Sequence, residues 1–333
     1  MRFIKLEDIT KGMVLAKPIY NDNGGVMVRE GSPISDAVLR HIDGIGYQGL
    51  YVEDDLSDDI SVRDIVSEKL RRMAYDALVK GDYTLCASIG KSIAQEIYEQ
   101  QRNLSLDMID IKSFKNYEYN HCIAVCVYAT VIGVKMKLTP EQLDNLAIAG
   151  LLHDIGKFDV KRRVLNTKQI YNDKQMDEMK KHPMYSYEAL KDDPNISSVT
   201  RNSILFHHEN IDGTGYYGIG GDKLGLFPRI LRVCDTYDAL IATRKHRAAF
   251  SPAFAFRNIL QDMGTLFDKE VVKVFLTTFP MYPKGYPVVL DNGYEGFVIN
   301  QTQDHERPVI RLYTGENVNL LTNSDYRTIN ILD

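Results

Sequence analysis

Apolar and polar positions change their period twice along this chain. In residues 1–55 they alternate in short pieces. MVLAKPIY, the turn NDNGG and VMVREG read as a β-hairpin, because glycine supplies the positive φ angles that such turns need. Residues 35–42 follow as a short helix, and Gly49–Glu53 (GLYVE) as another strand. From residue 62 to 101 the period becomes helical: Ile65, Val66, Leu70, Met73, Ala77 and Leu78, then Leu85, Ile89, Ile93 and Ile97 beyond Gly81. Such a face buries against a core or a sister subunit. Residues 116–268 are almost wholly helical in pattern, with stripes through Ile123, Val127, Val131 and Val134, then Leu143, Leu146, Ala147 and Leu151. Asn172 with Gln175 forms a capping box, Pro183 suits a first helical turn with His182 at its cap, and a helix over 227–243 sets Asp235 and Asp238 on one face. After Phe279, Pro280, Pro283 and Pro287 announce a change, and VVL, the turn DNG, GFVIN, VIRLY and NVNLL read as antiparallel β-structure.

The expected fold class is therefore mainly α: an α+β module over residues 1–60, a helical connector over 61–115, a helical domain over 116–278 and a small β module over 279–333. At 333 residues, 44% hydrophobic and 26% charged, the composition is that of a soluble globular chain. A net charge of −5 offers no basic stripe for a nucleic acid polymer, and a small anion needs only local charge. Cys86, Cys122, Cys126 and Cys234 form no CxxC pair and no signal peptide opens the chain, so a reducing cytoplasm is expected, without thiolate metal ligands. The apolar run 122–134 is short of the roughly 18–20 residues that span a bilayer, so a buried helix is expected rather than membrane insertion. The acidic run EDDLSDD (53–59) reads as a solvated linker or helix cap, His41 as a partly exposed helix residue, and His305 as plain surface.

Chemistry concentrates in the helical region. Five of the eight histidines fall between 121 and 208. One buried histidine is ordinarily a satisfied core or cap residue, but each further imidazole needs partners for both nitrogens, so several converging histidines form either a hydrogen-bonded network or a metal site. Asp154 and Asp235 favour the metal site, because unpaired buried carboxylates are costly and a dication neutralises them.

HDIGK, then HP ahead of an apolar helix, then HHENIDGTGYYG, then RILRVCDTYDALIATRKHR together resemble the HD-GYP domain, the branch of the HD phosphohydrolase superfamily that hydrolyses cyclic di-GMP. The resemblance covers roughly residues 118–276. It implies a helical HD-type fold and a site of two divalent metals, iron or manganese, held by His121, His153, Asp154, His182, His207, His208 and Asp235, with Asp154 as the bridge. It implies a phosphodiesterase yielding linear pGpG or GMP through a hydroxide generated between the two cations. Lys157 would neutralise developing charge or protonate the leaving oxygen beside Asp154. Gly215 and Tyr216 would belong to a substrate-facing loop, and Arg244 and Arg247 would hold substrate phosphate. Asp238 would orient a ligand.

Three departures from the family pattern shape what to expect. Gly215, Tyr216 and Tyr217 stand where Gly-Tyr-Pro is usual, so the loop is expected to lose a proline restraint and move more. Tyr117 occupies the position of an acidic third-metal ligand, so two metals are expected. Thr243, Arg244, Lys245 and His246 replace a usual Asp-Arg-Pro-Tyr run. Two alternatives stand beside the phosphodiesterase: a catalytically weak cyclic-dinucleotide binding and signalling module, and a phosphohydrolase of another cyclic dinucleotide. A homodimer or signalling partner accompanies either.

Overall fold

A computed structural model describes residues 1–20, 25–45, 47, 49–61, 64–101, 104, 117–160, 172–243 and 247–332. Among these, β1 (Arg2–Lys5), β2 (Val14–Leu15), β3 (Ile19–Tyr20), β4 (Val26–Val28), α1 (Asp36–Ile45) and β5 (Gly49–Glu53) form the first module. β5 lies between β1 and β2, antiparallel to both, with Arg2 opposite Val52 and Leu15 opposite Val52. β3 and β4 pair as the alternation predicts, although turn residues 21–24 lie outside the described residues. Ile4, Leu15, Ile19, Ile34, Ile42 and Leu50 close a core of their own.

The long helical pattern divides at Gly81 into α2 (Glu68–Lys80) and α3 (Tyr83–Glu99). Then come α4 (Tyr117–Lys135), α5 (Pro140–Leu152), α6 (Asp173–Met179), α7 (His182–Leu190), α8 (Ser198–Leu205), α9 (Leu226–Ile241), α10 (Pro252–Gln261) and α11 (Lys269–Thr278). α4 is buried nearly all round, which explains its unbroken apolar run. No helix among the described residues is long and apolar enough to cross a membrane. α5 opens on a capping box between Thr139 and Gln142, and α6 on the one expected between Asn172 and Gln175. α5 lies directly on α4: a Cβ on Gly150 would sit 2.7 Å from the Cys126 Cα, so only glycine lets the two backbones approach this closely. A ring cluster of Tyr128, Tyr237, Phe275 and Phe279, with centroids 4.5–5.7 Å apart, locks α9 against α4 and α11.

β6 (Pro287–Leu290), β7 (Glu295–Asn300), β8 (Val309–Leu312), β9 (Asn317–Asn319) and β10 (Ile331–Leu332) form an antiparallel sheet in the order β10-β6-β7-β8-β9. The sequence pattern does not announce β10. The sheet's inner face, Val288, Leu290, Val298, Ile310 and Val318, joins the same core as the helices.

Two surface expectations change. Asp54 accepts a hydrogen bond from Arg2 and another from Ser57, and Asp59 pairs with both terminal nitrogens of Arg311 on β8 at 2.6 and 2.9 Å. The acidic run is therefore a fastening between the first and last modules as well as a linker, supported by a hydrogen bond from the Phe3 amide to the Gly285 carbonyl at 2.9 Å. His305 is half-buried, with its ring 5.5 Å from that of Phe256, rather than plain surface.

Candidate metal centre

Five segments deliver the candidate ligands. His121 comes from the first turns of α4, and His153 and Asp154 from the end of α5. His182 opens α7, His207 and His208 follow α8, and Asp235 faces inward from α9. The N-cap of α7 is Lys181, so His182 lies inside the first turn rather than at the cap. His121, His153, Asp154, His182, His207 and Asp235 are all buried, and His208 is partly so.

These side chains converge as two groups sharing one carboxylate. His121, His153, Asp154 and Asp235 each offer a donor atom within 4.8 Å of the others, and so do Asp154, His182, His207 and His208. Asp154 divides its oxygens between them. Oδ2 is 3.4 Å from both His121 Nε2 and His153 Nε2, while Oδ1 is 3.1 Å from His182 Nε2 and 3.7 Å from His207 Nε2. All the donors are imidazole nitrogens and carboxylate oxygens, a set suited to a divalent transition metal.

The protons on the histidines fit the same purpose. His153, His182 and His207 each place Nδ1 2.6–2.8 Å from a carbonyl three residues upstream, of Gly150, Met179 and Ile204. A carbonyl can only accept, so each Nδ1 carries a proton and each ring turns its Nε2 inward. The Nε2 atoms of His182 and His207 lie 3.3 Å apart, beside an Asp154 Oδ1 that is buried without a hydrogen-bond partner. Ring nitrogens crowded around a buried carboxylate oxygen that has no hydrogen-bond partner are poorly satisfied by one another and well satisfied by a cation, so these residues fit the metal.

The electrostatics follow from burial and crowding. Burial and neighbouring histidines hold His207 and His208 well below the usual histidine range, so both are neutral and ready to ligate. Burial alone would raise Asp154, but His153 and Lys157 outweigh it and hold the carboxyl far down. Asp235 is likewise pulled down against its burial, chiefly by its hydrogen bond from His121. Burial would lower His121, yet bonds to Asp154, Asp235 and Asp238 raise it to about 10. A proton and a cation thus compete for one negative cradle. Asp238 Oδ2 holds His121 Nδ1 at 2.7 Å, the orienting contact expected of it, and the Tyr117 hydroxyl lies 3.3 Å from the same nitrogen.

Lys157, in the 3-10 turn Ile155–Phe158, donates to Asp154 Oδ2. The Tyr216 ring stacks on His208 with centroids 4.6 Å apart, and burial pushes its phenol up to about 12, so the hydroxyl stays protonated. The Arg247 guanidinium donates to the Ala239 and Leu240 carbonyls at the end of α9 and lies 4.7 Å over the Phe250 ring, which gives it a helix-capping role in this structure. Arg244, Lys245 and His246 lie outside the described residues.

A model of the HD domain family matches residues 93–271, just over half of the chain. The chain belongs to the HD domain family. The chain is similar to a cyclic di-GMP phosphodiesterase of Pseudomonas aeruginosa, 32% identical over 200 residues, a match covering 60% of this chain and 48% of that protein. It is also similar to the 3'3'-cGAMP-specific phosphodiesterase 3 of Vibrio cholerae, 29% identical over 180 residues, covering 54% and 38%. The chain thus spans about half the length, or less, of these curated relatives. Among solved structures, a HDG"Y"P protein from Bdellovibrio bacteriovorus shares the fold, with a TM-score of 0.51 at 15% identity over 83% of this chain and 98% of that one.

The loop beside the HD domain's metal centre corrects one expectation. Glu209, 1% exposed, accepts the Tyr217 amide at 2.8 Å and the Ile219 amide at 2.6 Å. Proline at 217 would have no N–H to give, so the tyrosine that removes a ring restraint adds a hydrogen bond to a buried carboxylate. Gly215 is required here because a Cβ would stand 2.5 Å from the Glu209 Cα. A second tie runs from Arg232 Nε to Asn210 and from Asn210 to Thr214, both at 2.9 Å. Sequence reasoning passed over Glu209, although the one available signal was a carboxylate directly after two candidate ligands.

Proposed function

We propose that this chain is a metal-dependent phosphodiesterase of a cyclic dinucleotide, with cyclic di-GMP the leading substrate and linear pGpG or GMP the product. The observation that carries this reading is the pair of four-residue ligand groups sharing Asp154, one carboxylate reaching both. The relatives' named activities on cyclic dinucleotides support it. Two ions, iron or manganese, are assigned to the groups, one to His121, His153, Asp154 and Asp235, the other to Asp154, His182, His207 and His208. Divalent cations held there supply positive charge toward phosphoryl oxygens and acidify water.

The chain's own residues do the rest. Lys157 carries its ammonium at the edge of the cluster, where it offsets charge gathering on the phosphoryl oxygens and can give a proton to the departing 3′ oxygen. Tyr216, protonated and seated on His208, walls the site and offers a hydroxyl donor. Asp238 keeps the His121 ring in the orientation that turns Nε2 to the cluster. Glu209 holds the loop that carries Tyr216.

The test is turnover of cyclic di-GMP by protein loaded with iron or manganese, with products separated and metal content determined on the same sample. Two ions per chain and linear product are expected; no turnover in metal-replete protein would refute the enzyme. The 3'3'-cGAMP specificity of the Vibrio cholerae relative favours one competing reading, a different cyclic dinucleotide as substrate, which a substrate panel on one preparation separates.

A further inference from the structure

Ser186 lies one turn after His182 on α7, is 0% exposed, and touches no metal ligand side chain in the contacts described above. Its hydroxyl is nevertheless used fully. It donates to the His153 carbonyl at 2.8 Å and accepts the Gly156 amide at 2.8 Å, two backbone groups that the end of α5 leaves without helical partners. Around it the two segments meet backbone to backbone: a Cβ on Gly156 would sit 2.1 Å from the His182 carbonyl oxygen and 2.5 Å from the Ser186 nitrogen. One side chain thus joins the turn bearing His153, Asp154 and Lys157 to the helix bearing His182.

The two ligand groups depend on this joint unequally. In the first group, His121 is set by Asp238 and His153 by its own helix through the Gly150 carbonyl, and neither contact involves α7. In the second, Asp154 Oδ1 must meet His182 across the joint, and its 3.1 Å approach to Nε2 spans the two segments that Ser186 fastens. We propose that Ser186 is a positioning residue that governs the second metal position more than the first: its joint carries His153 and the shared Asp154, but only the second group also needs His182 from across it, so the two positions differ in how they respond to its loss. This inference rests on the two-ion reading above and concerns metal uptake alone.

The experiment is a titration of metal-free, full-length protein with Mn(II), counting bound and free ion by electron paramagnetic resonance. Wild type is expected to take up two ions. In Ser186→Ala one of the two steps should loosen by about 10- to 100-fold, the usual effect of removing a partner behind a ligand, while the other stays within about two-fold. Ser186→Cys, which fills the space but hydrogen-bonds weakly, should behave the same way and covers the case in which alanine fails to fold. Equal loosening of both steps, or no change in either, overturns the proposal, because a general loss of stability moves both positions and an idle hydroxyl moves none. A wild type that binds a single ion refutes the two-ion reading itself, and this inference with it, before any variant is compared.

Discussion

Replacing Glu209 with Gln probes the loop over the metal centre most directly. The glutamate accepts two amides, from Tyr217 at 2.8 Å and Ile219 at 2.6 Å, in a place closed to water. Glutamine keeps the shape and one accepting oxygen but turns an NH2 toward the other amide, so one donor loses its partner and meets another donor. A hydrogen bond to a charged acceptor contributes about 1.5–3 kcal/mol, and the surviving bond, now to a neutral amide, falls to about 0.5–1.5 kcal/mol. The loop should therefore lose on the order of 2–4 kcal/mol against opening, which at about 1.4 kcal/mol per decade makes opening roughly 30- to 1,000-fold more frequent. Amide hydrogen exchange at Tyr217 and Ile219 reads this directly. The change should stay local, because Ile211 and Asp212 donate to the Leu266 and Thr265 carbonyls and do not need Glu209. Tyr217→Pro removes one donor and leaves the carboxylate, so it should accelerate exchange at Ile219 by a smaller factor, about 10-fold. Unchanged exchange in Glu209→Gln, or equal acceleration along α9, would refute the latch.

Other outcomes follow from the same geometry. Asp154→Asn keeps the shape but removes the charge that both groups share, so elemental analysis should find less than one metal per chain, and a variant retaining two would break the shared-carboxylate reading. In chelated protein, stability should fall below pH 6.5, because the unfolded chain protonates histidines that burial keeps neutral at His207 and His208. It should also fall as pH rises from 6.5 through about 10, where His121 loses the proton its three carboxylates hold, and added Mn(II) should remove this alkaline decline. Melting curves across pH check both limbs, and a flat alkaline limb without metal would contradict the assignment. Gly156→Ala drives a Cβ into the His182 carbonyl, a clash of backbone with backbone, and should cost about 3 kcal/mol, or about 6–12 °C in Tm.

What the sequence could show was set by which interactions depend on residue type alone. Helical period, capping boxes and the hairpin signals are local, so α2 to α7, α9 and β6 to β9 were legible, while α8, α10 and α11 were not separately delimited. The convergence of His121, His153, Asp154, His182, His207, His208 and Asp235 into one cluster was legible through the HDIGK, HP, HHENIDGTGYYG and DTYDAL motifs, which carry the family resemblance, since histidine spacing alone left a hydrogen-bonded network equally open. The contacts of Arg247 were not legible because a guanidinium's use depends on what faces it, here the carbonyls at the end of α9. Glu209 and Ser186 were invisible for the opposite reason: each serves backbone groups of another segment, and backbone groups carry no residue signature. The acidic run is largely exposed, as a solvated linker should be, but its pairings to Arg2 and Arg311 were not legible because those partners stand at the two far ends of the chain.

Charge links the metal centre to its ligand. Taken formally, with every histidine but His121 counted neutral, the buried cradle holds three carboxylates, Asp154, Asp235 and Asp238, against two positive groups, Lys157 and the protonated His121, so it carries −1. An anionic dinucleotide has no reason to approach such a place. Two dications that displace the His121 proton give −3 + 1 + 4, or +2, in a pocket where water screens poorly. The same carboxylates that make the empty cluster repel phosphate thus make the loaded one attract it. Binding of a cyclic dinucleotide should therefore vanish on chelation whether or not the bond is ever cleaved, and calorimetry with chelated and Mn(II)-loaded protein decides it: equal affinity in the two states would mean that the phosphates are held elsewhere, by cations outside this cluster.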